Sequence, residues 1–263
     1  MKQISSIYKK TLFSLLLFAF LIPLQQLHAQ LSVYQYRHVP ADKVEEFIKR
    51  ETTYWSKVAQ KALDAKKMNF WGLFEKVGGY DLPNSSNFLF INGFSNIDSA
   101  WSGDTFDPSK LFPKVPYAQM ETGSFTTVTS QIFLKTEDWA EAKGINPEKD
   151  FNYLVMNYHL SENVGAFITA EKTIWKPFLQ SAMDKKQTQQ IGWGNASVLS
   201  PTGGDMPFNS VSYDLFRTLQ DALLTPWAPD LVVPDNLDMI DKMRTQQSAR
   251  VIYRIVKVVS GPL

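Results

Sequence analysis

Residues 32–38, Ser-Val-Tyr-Gln-Tyr-Arg-His, carry large side chains at every second position and predict a strand. Val39-Pro40-Ala41-Asp42 closes it, and apolar positions then recur at helical spacing: Val44, Phe47, Ile48, Trp55, Val58, Ala59 and Ala62. That stripe predicts a helix to about Lys67 with Asp42 as its cap. Strand patterns follow at 70–76 and 87–93, separated by a Gly, Asp, Pro and Asn turn cluster. A second helix is expected near Ile97, after it an irregular Pro-containing stretch from Trp101 to Pro116, and then a strand at 126–135.

The same order returns downstream. Strand patterns occupy 153–159, 192–199, 210–216 and 250–259. Ser161 is the expected cap of the long helix, a second helix is expected near Thr218, and 225–234 is again irregular and Pro-containing. Laid over one another at an offset of 120, residues 34–66 and 154–186 agree at nine of 33 positions, including Val44/Val164, Phe47/Phe167, Glu51/Glu171, Trp55/Trp175 and Lys66/Lys186. Chance gives about two. Beyond that window the offset drifts slightly, with Trp71-Gly72 answering Trp193-Gly194. The chain therefore reads as a duplication. Each copy runs strand, helix, strand, strand, helix, strand, the ferredoxin-like order. The expected organisation is an α+β protein with a first repeat at 30–136, a linker at 137–151 holding one helical turn, and a second repeat at 152–263.

Ahead of the first strand, Lys2, Lys9 and Lys10 precede an apolar run from Leu12 to Leu24, and Leu27-His28-Ala29 precedes Gln30. This is the pattern of an export signal over residues 1–29, cleaved after Ala29. Thirteen apolar residues are too few to span a bilayer, so no stable membrane insertion is expected after cleavage. The expected destination is the periplasm or the extracellular space.

Composition narrows the chemistry. Lys and Arg number 27 against 26 Asp and Glu, which gives no footprint for nucleic acid, and there is no cysteine for a disulfide or thiolate site. With two histidines left after cleavage, a protein-built zinc site is not expected, and metal ligands are assigned to none of the candidates. Nucleophile-elbow, zincin, dinucleotide and calcium-loop motifs are all missing from the sequence.

Two fused units of this kind, with Tyr36-Arg37-His38-Val39-Pro40 leading into Lys43-Val44-Glu45-Glu46-Phe47, resemble the opening of monooxygenase-like and NIPSNAP-like members of the dimeric α/β-barrel superfamily. The resemblance spans almost all of the chain after the signal and rests on a strand-to-helix pattern. It implies two sheets packed into one barrel, with the duplication standing in for a homodimer and the chain a monomer. Members range over cofactor-free oxidation, haem chemistry, ring-forming reactions and plain ligand binding, so it implies no single reaction and no catalytic residues.

The residues themselves supply candidates. Glu51 falls on the apolar stripe of the first helix, one turn before Trp55, and Glu171 repeats the placement before Trp175. A carboxylate on such a face must be paired, hydrogen-bonded, or raised in pKa into the range of an acid or base. Around them Trp55, Trp175, Trp71, Trp193 and Tyr36 are candidate walls of an aromatic pocket, and Gly72 and Gly194 are places where a flat ligand or another backbone could approach. His159 is a candidate base or haem ligand, and a haem is the one cofactor considered beside none. His38 is out of register with it, so the two should face opposite sides of their sheets. Three readings stay open: a binding protein for a small hydrophobic or aromatic ligand, a cofactor-independent oxygenase or isomerase-like (or haem-binding) enzyme using Glu51 or Glu171, and a structural or partner-binding module.

Overall fold

The computed structural model describes residues 31–78, 85–94, 96–98, 102, 104–204, 206–245 and 249–260. The export signal, most of the turn cluster at 79–84 and most of the helix expected from Ile97 lie outside them. Eight strands form a closed antiparallel barrel: β1 (Leu31–His38), β2 (Phe70–Lys76), β3 (Phe88–Phe94), β4 (Thr127–Glu141), β5 (Tyr153–His159), β6 (Gly192–Ser200), β7 (Ser210–Phe216) and β8 (Ala249–Ser260). Around the barrel the order is β1-β3-β2-β8-β5-β7-β6-β4. The first four strands and the last four thus each form a contiguous sheet of matching order, and the two sheets join where β2 meets β8 and β4 meets β6.

Two long helices lie on the outside. α1 (residues 41–64) opens with a 3-10 turn at Ala41–Lys43, continues as α-helix over Val44–Arg50, widens into a π turn at Glu51–Trp55 and ends as α-helix over Ser56–Asp64. After a single turn α2 (Pro147–Asp150), α3 (residues 164–184) repeats the plan: α-helix at Val164–Ala170, π turn at Glu171–Trp175, α-helix at Lys176–Asp184. Short helices α4 (Leu219–Leu224) and α5 (Asp238–Lys242) follow β7. Among the described residues no helix is long and apolar enough to cross a membrane.

Alternation along the strands sorts side chains into two layers. Tyr34, Tyr36, Phe74, Leu89, Leu134, Met156, Tyr158, Leu215 and Tyr253 form one buried cluster that draws on both sheets and fills the lumen. Tyr36 donates to the Tyr158 hydroxyl at 3.1 Å, and Tyr158 lies 3.4 Å from the Tyr253 hydroxyl, so rings from β1, β5 and β8 meet across the barrel. Burial pushes the hydroxyls of Tyr34, Tyr36, Tyr158, Tyr213 and Tyr253 upward, which keeps them neutral. Outside, Val33, Trp71, Leu73, Phe88 and Phe90 pack against Phe47 and Ala59 of α1.

Several expectations are corrected. Asp42 caps nothing: the cap residue of the first turn is Pro40, with no side-chain bond. Nor does Ser161 cap α3: its N–H is held by Asn209 Oδ1 at 3.1 Å, and the cap lies two residues later, where Asn163 accepts from the Ala166 amide at 3.0 Å. The strand expected at 126–135 runs on to Glu141 because residues 133–141 pair with β6 of the other sheet. The pairing has irregularities between Phe133 and Leu134 and between Thr136 and Asp138, so the linker begins after the strand, and its single helical turn is α2. Above Gly72 and Gly194 the space holds this chain's own rings: a Cβ on Gly194 would lie 2.4 Å from the Tyr213 ring, and one on Gly72 would lie 2.5 Å from Phe74.

Candidate functional site

Both stripe glutamates are buried, 3% and 4% exposed, between a helix and the outer face of its sheet. Each is the first residue of a π turn, and that turn re-phases the helix. The buried positions of α1 run Phe47, Glu51, Ser56, Val58, Ala59, Ala62 and Leu63, with a step of five residues from Glu51 to Ser56 where an α-helix takes three or four. Hydroxyls of Thr52 and Ser56 in α1, and of Thr169 and Thr173 in α3, bond back to carbonyls four residues earlier, each at 2.7 or 2.8 Å. Such bonds bend and loosen a helix.

Below α1, Glu51 Oε1 accepts from Thr122 Oγ1 at 2.7 Å and lies 3.9 Å from Arg37 Nη1. Arg37 is itself tied down, donating to Gln35 Oε1 at 2.7 Å with its guanidinium 4.5 Å over the Phe90 ring. Burial pushes the Glu51 carboxyl up to about 7, while the Arg37 charge and the Thr122 bond pull against it. Trp55 donates from Nε1 to the Met120 carbonyl at 2.8 Å, which ties α1 to the segment before β4.

Below α3 the surroundings are different. Glu171 Oε2 accepts from Asn195 Nδ2 at 2.9 Å. Burial pushes its carboxyl up to about 8; the Asn195 bond opposes this, the Asp214 charge adds to it and the Arg244 charge opposes it. Asp214 accepts from Gln190 Nε2 at 2.6 Å and Asn157 Nδ2 at 2.9 Å, and burial lifts it to about 6 against those bonds and Arg250. His159 Nε2 lies 2.8 Å from Ser212 Oγ with its ring 5.1 Å from that of Phe167, and burial, then the Arg244 charge, lowers it to about 3. Two atoms on this face, Asn195 Oδ1 and Ser210 Oγ, are buried with no protein partner.

Strand by strand the two faces can be superposed. β3 and β7 each have seven residues, which sets Phe88 against Ser210, Phe90 against Ser212 and Asn92 against Asp214; the Trp71/Trp193 match sets Leu73 against Asn195. Bulky apolar groups under α1 are therefore replaced by small polar ones under α3.

The other expected site residues fall in three places. Trp71 and Trp193 lie in the outer layers, Trp71 against Phe90 and Trp193 among Ala140, Leu179 and Met183. Trp175 stands at the margin of α3 beside Phe178 (5.6 Å) and Trp227 (6.3 Å). Tyr36 is in the lumen, separated by the sheet from both glutamates. His159 does face the Glu171 layer, but its Nε2 is engaged by Ser212. His38 contacts the Ser85 carbonyl at 2.9 Å through Nδ1. Among the described residues no three His, Asp or Glu side chains are grouped to hold a metal ion. A cleft of about 210 Å³ beside the end of α1 is lined by Lys61, Lys67, Asp104 and Lys110 and includes neither glutamate.

Asn195, Ser210, Ser212, Asp214 and Arg244 were missed from sequence. The available signal was the comparison of β7 with β3, where one face reads Ser, Ser, Asp in place of Phe, Phe, Asn.

No family model and no curated protein matches the sequence. Among solved structures the chain is similar to an anthrone oxidase-like protein at 11% identity and a TM-score of 0.54, over 89% of this chain and 94% of that one. It is similar to a candidate monooxygenase from Fusobacterium nucleatum at 13% identity and 0.52, over 88% and 94%. A second candidate monooxygenase, from Lactobacillus acidophilus NCFM, gives 10% and 0.50 over 88% and 95%. At such identities the agreement is one of fold, an eight-stranded antiparallel barrel with helices packed outside it.

Proposed function

We propose that the chain binds a small aromatic or hydrophobic molecule between α3 and the outer face of β5, β6 and β7, and that Glu171 exchanges a proton with it. The carrying observation is a buried carboxyl, seated at a π turn, facing a sheet surface with Asn195, Ser210 and Ser212 where the other half has Leu73, Phe88 and Phe90. A carboxyl raised to about 8 works as a base near neutral pH. As carboxylate, Glu171 takes a proton from an acidic C–H or O–H of the ligand, and the electron pair of the broken bond stays on the ligand's ring system. That anion can pass electrons to dioxygen or be reprotonated at another atom, the oxidase and isomerase outcomes. No cofactor is required. The fold shared with an anthrone oxidase-like protein and candidate monooxygenases supports this by analogy of fold alone.

The same proposal covers the chain's history. The matched strand orders, the π turns 120 residues apart and the nine identities support two ferredoxin-like repeats from one duplication, folded as an internal pseudo-dimer and exported by the segment 1–29.

Dioxygen uptake with anthrone as the probe tests the site. The expected result is uptake above the uncatalysed rate, reduced roughly a hundredfold or more by Glu171→Gln and little changed by Glu51→Gln. Uptake equal in parent and Glu171→Gln overturns the assignment of the base. Saturable anthrone binding without uptake selects the binding-protein reading of the same site.

A further inference from the structure

Asn195 turns the Nδ2 end of its amide toward Glu171. Because Nδ2 donates to Glu171 Oε2 at 2.9 Å, the amide oxygen Oδ1 is turned away from the carboxyl, and it is buried with no protein partner. Asn195 as a whole is 0% exposed. Ser210 is equally buried, and its Oγ is the second unpartnered atom on this face; the third among the described residues, Asn92 Oδ1, lies alone on β3 in the other half. Ser210 pairs with Ser197 and Ser212 with Asn195 across β6 and β7, so the two atoms stand one pair apart on the outward face. A buried acceptor without a hydrogen bond forfeits its hydration with nothing in return, and native proteins seldom keep one without a use. Two on diagonal positions of one face, near a buried carboxyl, are the complement of a donor that arrives from outside the chain.

We infer that Asn195 and Ser210 are specificity-determining residues, selecting a ligand that carries a hydroxyl or N–H donor and places it on Asn195 Oδ1 beside Glu171. The inference rests on the proposed α3 site and deepens it. Ser210 Oγ can accept from or donate to the same group, whereas Asn195 Oδ1 can only accept. An ether or an unsubstituted ring of the same size would leave Oδ1 unpaired, and discrimination by a missing donor is far stronger than by a missing methylene. The first half lacks this reader, since Leu73 and Phe88 stand at the matching positions.

Calorimetric titration of the purified chain with 2-naphthol and with 2-methoxynaphthalene, at near-neutral pH, tests it. These probes share a ring and differ in the donor. The expected result is naphthol binding about tenfold or more tighter than its methyl ether. Asn195→Leu should bring the two affinities within about twofold, and Ser210→Ala should reduce the preference. Ser210→Ala removes one buried atom and serves if Asn195→Leu does not fold. Equal affinities in the parent overturn the inference while leaving the proposed α3 site, as they would if the two atoms were satisfied by water alone. A preference retained in the folded variants also overturns it. Binding of neither probe overturns the inference and the proposed α3 site together.

Discussion

Glu171 and Glu51 are the same residue type at the same turn of corresponding helices, yet their neighbours give them different roles. Glu51 is held by a hydroxyl and lies near a guanidinium, both of which oppose the rise that burial imposes on its carboxyl. Glu171 has an amide donor and a second carboxylate in its surroundings, which favours a carboxyl that holds its proton. This has a consequence for stability. A carboxyl whose pKa rises from 4.5 unfolded to about 8 folded binds its proton more tightly in the native state, so its contribution is full below about 4.5 and declines as pH rises to about 8. Glutamine has no such dependence. In urea unfolding at a series of pH values, Glu171→Gln should therefore gain stability relative to the parent between about pH 5 and 8. A gap that stays constant across that window contradicts the shifted carboxyl.

At the scale of elements, α1 and α3 were legible from the apolar stripe, and so was the conflict at Glu51 and Glu171. The π turns were not, because periodicity over a short window does not separate a five-residue step from a four-residue one. Strands β2 and β7 were read over the residues they occupy, since their alternation is local. The extra length of β4 was hidden because its partner, β6, lies about sixty residues on. Both helices end alike: Lys66 and Lys186 take positive φ values of 58° and 57°, and the amides of Lys67 and Gln187 bond back to Ala62 and Ala182. That is the Schellman ending, with lysine where glycine is free of Cβ strain. Lys186→Gly should accordingly raise unfolding free energy by up to about 1 kcal/mol, measured by urea midpoints. Destabilisation of that size would show that the lysine side chain makes a compensating contact.

For the whole molecule, closure of the barrel depends on both halves. The β2–β8 and β4–β6 ladders run between sheets, and the lumen core draws side chains from each. Closure leaves no sheet edge open for a second copy. Light scattering is expected to give the mass of one chain, and an obligate dimer contradicts the internal pseudo-dimer. The lumen is filled by tyrosines and aliphatic groups, which directs a ligand to the helix-sheet layers, and of the two the α3 layer carries the small polar groups Asn195, Ser210 and Ser212 where the α1 layer has Leu73, Phe88 and Phe90. Sequence reading named both layers through their glutamates but could not rank them, because the difference lies in β6 and β7, whose serines and asparagine look like ordinary solvent-facing positions until a helix covers them.

Titration of the Glu171 carboxyl itself is the most direct test. Carbon-13 NMR of glutamate-labelled protein, assigned by Glu171→Gln, would follow it with and without anthrone. The account predicts a protonated carboxyl at pH 6, a midpoint near 8 in the free chain, and a midpoint that moves when anthrone is added. A midpoint in the ordinary range near 4.5, unmoved by the ligand, would contradict it.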